Sequence, residues 1–207
     1  LHYLGANGVE NGRQKTPANA VEVARLLLDA GAEADALADL YDSKCTTMSM
    51  LVTSSHPAEA GLQMALAETL LDYGANGQSA VLSALTFGYP ETAEAPVRRG
   101  ASVVDLPTAA GLGRIDDAAR LLPSADAKSR HIALALAAQL GRTEIVRMLL
   151  DAGEDPNRYN PDGYHSHATP LHHAVWNKSE DVARLLVERG ARLDIQDTIY
   201  RGTPLGL

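Results

Sequence analysis

The sequence predicts an all-α solenoid of about six helix-turn-helix units, with short finger hairpins or loops between them. Three observations predict it. The run Thr169-Pro170-Leu171-His172 restarts 34 positions later as Thr203-Pro204-Leu205-Gly206. A period of that length belongs to stacked helical repeats, whose units bury their apolar faces only against their neighbours. An apolar stripe closed by Gly-Ala, here Val182, Leu185, Leu186 and then Gly190-Ala191, recurs in degraded form upstream. The composition is Ala- and Leu-rich, 45% hydrophobic but only 4% aromatic, which suits thin helices packed closely.

From the N-terminus, Leu1 to Gly8 reads as the second half of an inner helix and Val21 to Ala32 as its outer partner. Residues 33–45 form a long finger. Thr46 to Ala75 repeats the two-helix core, stretched around Ser54–Leu62. Val81 to Ala101 is the next copy, and Pro96 falls where a core leucine is wanted. Proline there removes a backbone hydrogen bond and crowds the preceding turn, so a kinked or shortened helix is expected. Ala109 to Leu122 is a copy without its closing Gly-Ala. Leu134 to Gly153 is the core nearly intact, with Ile132-Ala133 in place of Thr-Pro. In the last complete copy Thr169 is placed to cap a helix, Pro170 suits its first position, and Leu171, Ala174 and Val175 line its inward stripe. The approximate units are 1–34, 35–76, 77–102, 103–125, 126–156, 157–193 and a partial 194–207.

Thr169-Pro170-Leu171-His172, then Ala174, Val182, Leu185-Leu186 and Gly190-Ala191, resembles the ankyrin repeat. The resemblance implies a surface that binds a protein, with fingers and inner helices lining a concave face, rather than a chemical site. It also gives His172 a structural role, because the family's motif histidine bridges neighbouring turns.

Where the copies differ, function is expected. Residues 155–168 and 192–202 are long fingers, whereas the connections after Gly74-Ala75 and Gly100-Ala101 are short. Asn160-Pro161-Asp162-Gly163 is a turn sequence, and Tyr164-His165-Ser166-His167-Ala168 extends the spacer before Thr-Pro. Tyrosine and tryptophan bury area at little entropic cost and concentrate at interfaces. The expected contact residues are Tyr41 on the early finger, Tyr159, Tyr164, His165 and His167 on the long one, and Trp176, Asn177, Lys178, Tyr200 and Arg201 beyond it. His165, His167, His172 and His173 raise a zinc reading. It is set aside because no Cys or carboxylate stands at ligand spacing and structural zinc wants four ligands. No phosphate-binding Gly-rich loop, Gly-x-Ser-x-Gly elbow or His-Glu-x-x-His occurs, so neither catalysis nor a cofactor is expected.

The formal net charge of −8 argues against nucleic acid, which needs clustered cations. No run approaches the roughly 18 apolar residues of a membrane span. One cysteine, Cys45, excludes an internal disulfide and fits a reducing compartment. Arg outnumbers Lys 14 to 4, which hints at a high-GC bacterial coding sequence. The expectation is a cytoplasmic, monomeric protein-binding module. The alternative is an accessory segment of a larger enzyme or toxin, since the chain begins and ends inside helix motifs.

Overall fold

Each helix pair is set by where its helices can stop. Gly153 and Gly190 take positive φ (90° and 89°) just past the last helical turn. The following amides then reach back to the last-turn carbonyls, Glu154 to Leu149 at 3.1 Å and Ala191 to Leu186 at 2.9 Å. A side chain at those two glycines would strain that left-handed closure. The computed structural model describes residues 1–5, 15–40 and 43–206. It is an all-α repeat solenoid in two compact units, Leu1–Ser102 and Val103–Leu207.

In the first unit, α1 (His2–Gly5) and α2 (Ala20–Asp29) are followed by an antiparallel hairpin of β1 (Leu37–Leu40) and β2 (Ser43–Thr46). This is the expected early finger, and among the described residues it is the only sheet. Thr46 ends it and caps α3 (Thr47–Leu51), accepting from the Ser49 amide at 3.1 Å. The stretch around Ser54–Leu62 folds into an extra helix, α4 (Ser55–Glu59), before α5 (Gln63–Asp72). Then come α6 (Ala80–Thr86) and α7 (Pro90–Arg98). Buried Gln63 ties these together. Its Nε2 donates to the Leu51 and Ser54 carbonyls at 3.0 Å each, and its Oε1 accepts from the Thr92 hydroxyl at 2.8 Å.

Of the kinked or shortened helix expected at Pro96, the shortening does not occur. α7 has nine residues, as many as the regular outer helices described below, and Pro96 is buried. Pro96 lies four residues before Gly100, as Leu149 and Leu186 lie before Gly153 and Gly190. The ring fits because its neighbour is Gly77: a Cβ there would lie 2.6 Å from Pro96 Cβ. A glycine on the facing connection thus makes room for a ring at a core leucine position.

The second unit holds α8 (Leu106–Leu112), α9 (Ile115–Leu121), α10 (Ala127–Gln139), α11 (Thr143–Asp151), α12 (Pro170–Trp176) and α13 (Glu180–Glu188). α10 starts well ahead of Ile132-Ala133, because Asp126 caps it by accepting from the Ser129 amide at 2.6 Å. It packs between α8 and α12, and every residue from Ala133 to Gln139 is buried. A helix apolar on all sides belongs in such a middle layer. α11 and α13 bury one stripe each, Ile145, Val146 and Leu149 in one and Val182, Leu185 and Leu186 in the other. Each fully buried Leu or Ile contributes about 1.5–3 kcal/mol.

Polar joints recur between successive pairs. Asp35, Gln78 and Asn157 each stand four residues after a closing glycine. Their side-chain oxygens accept from the backbone amides of Asn76 (2.9 Å), Ser102 (2.8 Å) and Arg192 (2.8 Å), each two residues after the next closing glycine. Gln78 and Asn157 also donate, to Ser102 O at 2.9 Å and Gly190 O at 3.0 Å. On the outer helices, Asp72 pairs with Arg99 and Asp151 with Arg189, both at 2.6 Å. Exposed pairs of that kind are worth about 0–1 kcal/mol.

Candidate protein-binding surface

The two fingers of the second unit are locked side by side by Asp197. Asp197 is 5% exposed. One carboxylate oxygen accepts from the amides of Ile199 and Tyr200 at 2.7 Å each, and the other is hydrogen-bonded to His167 Nδ1. Burial pushes the Asp197 pKa up, but the Tyr200 amide, His167 and the Ile199 amide outweigh it and hold the value below the usual range. The Thr198 amide donates to the His167 carbonyl at 3.0 Å, and the Tyr159 hydroxyl donates to the Gln196 carbonyl at 2.5 Å. At the root of this pair, His172 Nδ1 accepts from the Thr169 amide at 3.2 Å and lies 2.8 Å from the Thr169 hydroxyl. That closes a capping box at the start of α12. Burial lowers the His172 pKa, countered in part by the Gly202 and Ile195 carbonyls of the next finger.

The expected contact residues divide into three groups. His165, His167 and Tyr200 come together, the His167 ring meeting Tyr200 edge-on at 5.9 Å and His165 at 6.0 Å, and Tyr159 and Arg201 stand on the same two fingers. Tyr159 and Tyr200 are 40% and 68% exposed. Trp176, Asn177 and Lys178 lie at the other end of α12, about 10 Å along the axis of a seven-residue helix. Trp176 is 66% exposed, while the Asn177 side chain is turned back to the His173 carbonyl at 2.9 Å.

Tyr164 and Tyr41 stand apart. Tyr164 is only 3% exposed and donates its hydroxyl to Gln139 at 2.8 Å, so it is a core residue and offers no contact face. Burial raises its pKa. The extended spacer folds inward over the C-terminal end of α10, and nothing local in the sequence signals a partner 25 residues away. Tyr41 lies outside the described residues.

Backbone geometry adds a signal that residue types do not carry. Among the described residues three non-glycines have positive φ: His165 (41°), Lys178 (57°) and Arg201 (62°). All three belong to the expected contact set. Lys178 holds the turn between α12 and α13 where the preceding pairs have Gly113 and Gly141, with the same closure, the Ser179 amide on the Ala174 carbonyl at 2.8 Å. A left-handed non-glycine costs about 1–2 kcal/mol. Lys178→Gly should therefore stabilise the chain, by about 1 kcal/mol once the flexibility of the unfolded glycine is counted. A urea melt at unchanged or lower midpoint would show that the turn is not strained.

Among the described residues, no three His, Cys, Asp or Glu side chains meet in a metal-holding arrangement, and no helix is long and apolar enough to cross a membrane. Residues 106–197 match the family model for ankyrin repeats, in three copies. That segment consists of ankyrin repeats. Two relatives carry that description in their names. An ankyrin repeat-containing protein of Schizosaccharomyces pombe is 40% identical over 62 residues, 30% of this chain and 28% of its own length. The ankyrin repeat and SOCS box protein 6 of Mus musculus is 37% identical over 75 residues, 36% of this chain and 17% of its own length. The matched segments thus span less than a third of either relative. The crystal structure of the human ASB11 ankyrin repeat domain aligns with 91% of this chain and 89% of its own, at 19% identity and a TM-score of 0.45.

Proposed function

We propose that the protein is a protein–protein interaction module whose partner docks on the fingers and inner helix of the second unit, against Tyr159, His165, His167, Trp176, Lys178, Tyr200 and Arg201. The observation that carries this reading is the coincidence of exposure with strain. Large aromatic groups are left in solvent beside three non-glycine residues held in left-handed backbone. Strained backbone that persists in a packed scaffold marks a place where geometry serves something other than stability. The outer helices offer the contrast: Arg184 pairs with Glu180 and Arg189 with Asp151, as solvated helix surfaces do. The reading includes Trp176 because a partner lying along α12 would span both groups.

The test is capture of a partner from the source cells with the full chain, followed by variants. Tyr159→Ala, Trp176→Ala and Tyr200→Ala together should abolish binding, each anchor contributing about 1–4 kcal/mol. Glu144→Ala, Arg184→Ala and Glu188→Ala should leave it intact. Loss of the partner by the outer-helix set, with retention by the aromatic set, would overturn the assignment.

A further inference from the structure

At the root of the long finger two buried polar atoms face each other. His131 is fully buried on α10. Its Nε2 lies 3.2 Å from the Arg158 carbonyl, and a carbonyl only accepts, so Nε2 carries a proton. Its Nδ1 lies 3.6 Å from Glu154 Oε2. Neither Nδ1 nor Oε2 has a hydrogen-bond partner among the described residues, and both are shut off from solvent. The gap is too long for a formed hydrogen bond and too short for a bridging water. If Nδ1 and the carboxylate both lack a proton, two lone pairs oppose each other in a dry interior. One proton between them satisfies both.

We propose that His131 and Glu154 form a proton-operated latch that fastens residues 154–158 to α10, closed while one proton lies between Nδ1 and Oε2 and open once the pair has lost it. In the closed state the carboxyl group donates to Nδ1. Opening passes that proton to solvent and leaves a carboxylate facing an imidazole lone pair. The latch sits at the root of the long finger: Glu154 closes α11, Arg158 holds His131 Nε2, and Asn157 is the joint to Arg192. It operates whether or not the finger binds a partner.

The charged surroundings are few. Arg130 on α10, and Asp155 and Arg158 beside Glu154, act on the pair. α8 has no titratable side chain. On α11, Glu144 pairs with Arg147 and Asp151 with Arg189; on α12, His172 is engaged by Thr169 and His173 by Asn160. Burial, and next the Arg158 charge, lower the His131 pKa to about 4, and burial raises that of Glu154. Both shifts favour the uncharged pair with a single proton. The Glu154 shift is upward, so the latch's stabilisation is present below the ordinary carboxylate value and is lost as pH rises through the folded one.

The experiment is amide hydrogen exchange of Asp155, Asn157, Arg158 and Tyr159 in the full chain, corrected for intrinsic pH dependence, with nitrogen NMR of His131. Exchange in the unmodified chain should speed by about tenfold between pH about 5 and about 8.5, while His131 stays neutral with its proton on Nε2. Glu154→Gln supplies a permanent donor to Nδ1, so protection should be high at both ends of the range. Glu154→Met fills the space without a donor and should exchange fast throughout. A pH step retained in either variant would overturn the latch, as would a proton on His131 Nδ1 at neutral pH in the unmodified chain.

Discussion

Acidification from pH about 6.5 to about 4 should cost the protein about 3 kcal/mol through His173 alone. His173 is 8% exposed, and its Nε2 lies 2.8 Å from Asn160 Nδ2. Asn160 Nδ2 also donates to the His165 carbonyl at 3.2 Å, which fixes the amide with its N–H groups toward His173. Nε2 must therefore accept and stay unprotonated. Burial, then the neighbouring His165, His167 and His172, lower the His173 pKa to about 3, against a smaller upward pull from Asp197. The folded value lies below the unfolded one, so the unfolded chain takes up the proton first. Stability is whole above about 6.5 and is lost as pH falls toward the folded value. His173→Gln keeps an acceptor for Asn160 and does not titrate, so its urea midpoint should fall much less over the same range. Equal losses in both proteins would remove His173 as the cause.

Asp197→Ala should cost about 2–3 kcal/mol, concentrated in the last finger. It deprives the Ile199 and Tyr200 amides of a shared acceptor and His167 of its charged partner. Asp197→Asn keeps the oxygen that serves the two amides and should recover most of the loss. The Tyr200 amide should exchange fast in the alanine variant and slowly in the asparagine one. An alanine variant as stable as the parent would mean that the fingers are held by their backbone bonds alone.

The helix pairs were legible because their signals are local. A Thr-Pro start, an apolar stripe and a closing glycine each act within a turn or two of chain, and Thr169, Pro170 and Gly190 take the places that chemistry assigns them. What escaped the sequence depends on distant partners. Tyr164 looks like a loop aromatic until its spacer folds back to Gln139. Pro96 looks like a breaker until Gly77 is seen to make room for it. Lys178 reads as a contact residue, but nothing in the sequence shows the φ of 57° that places it in a glycine's turn. The facing of His131 and Glu154 follows from no spacing rule at all, only from how the chain beyond α11 lies against α10.

The joints made by Asp35, Gln78 and Asn157 have a consequence for how such a chain tolerates change. Each has a side chain on one side and only main chain on the other: the N–H of Asn76, Ser102 or Arg192, joined in two of them by the Ser102 or Gly190 carbonyl. Any residue except proline supplies that N–H. Half of every joint is therefore immune to substitution, and the two halves need not change together to stay compatible. A unit copied, moved or replaced within the array arrives with its receiving half already in place, and needs only one short polar side chain to be spliced onto the unit before it.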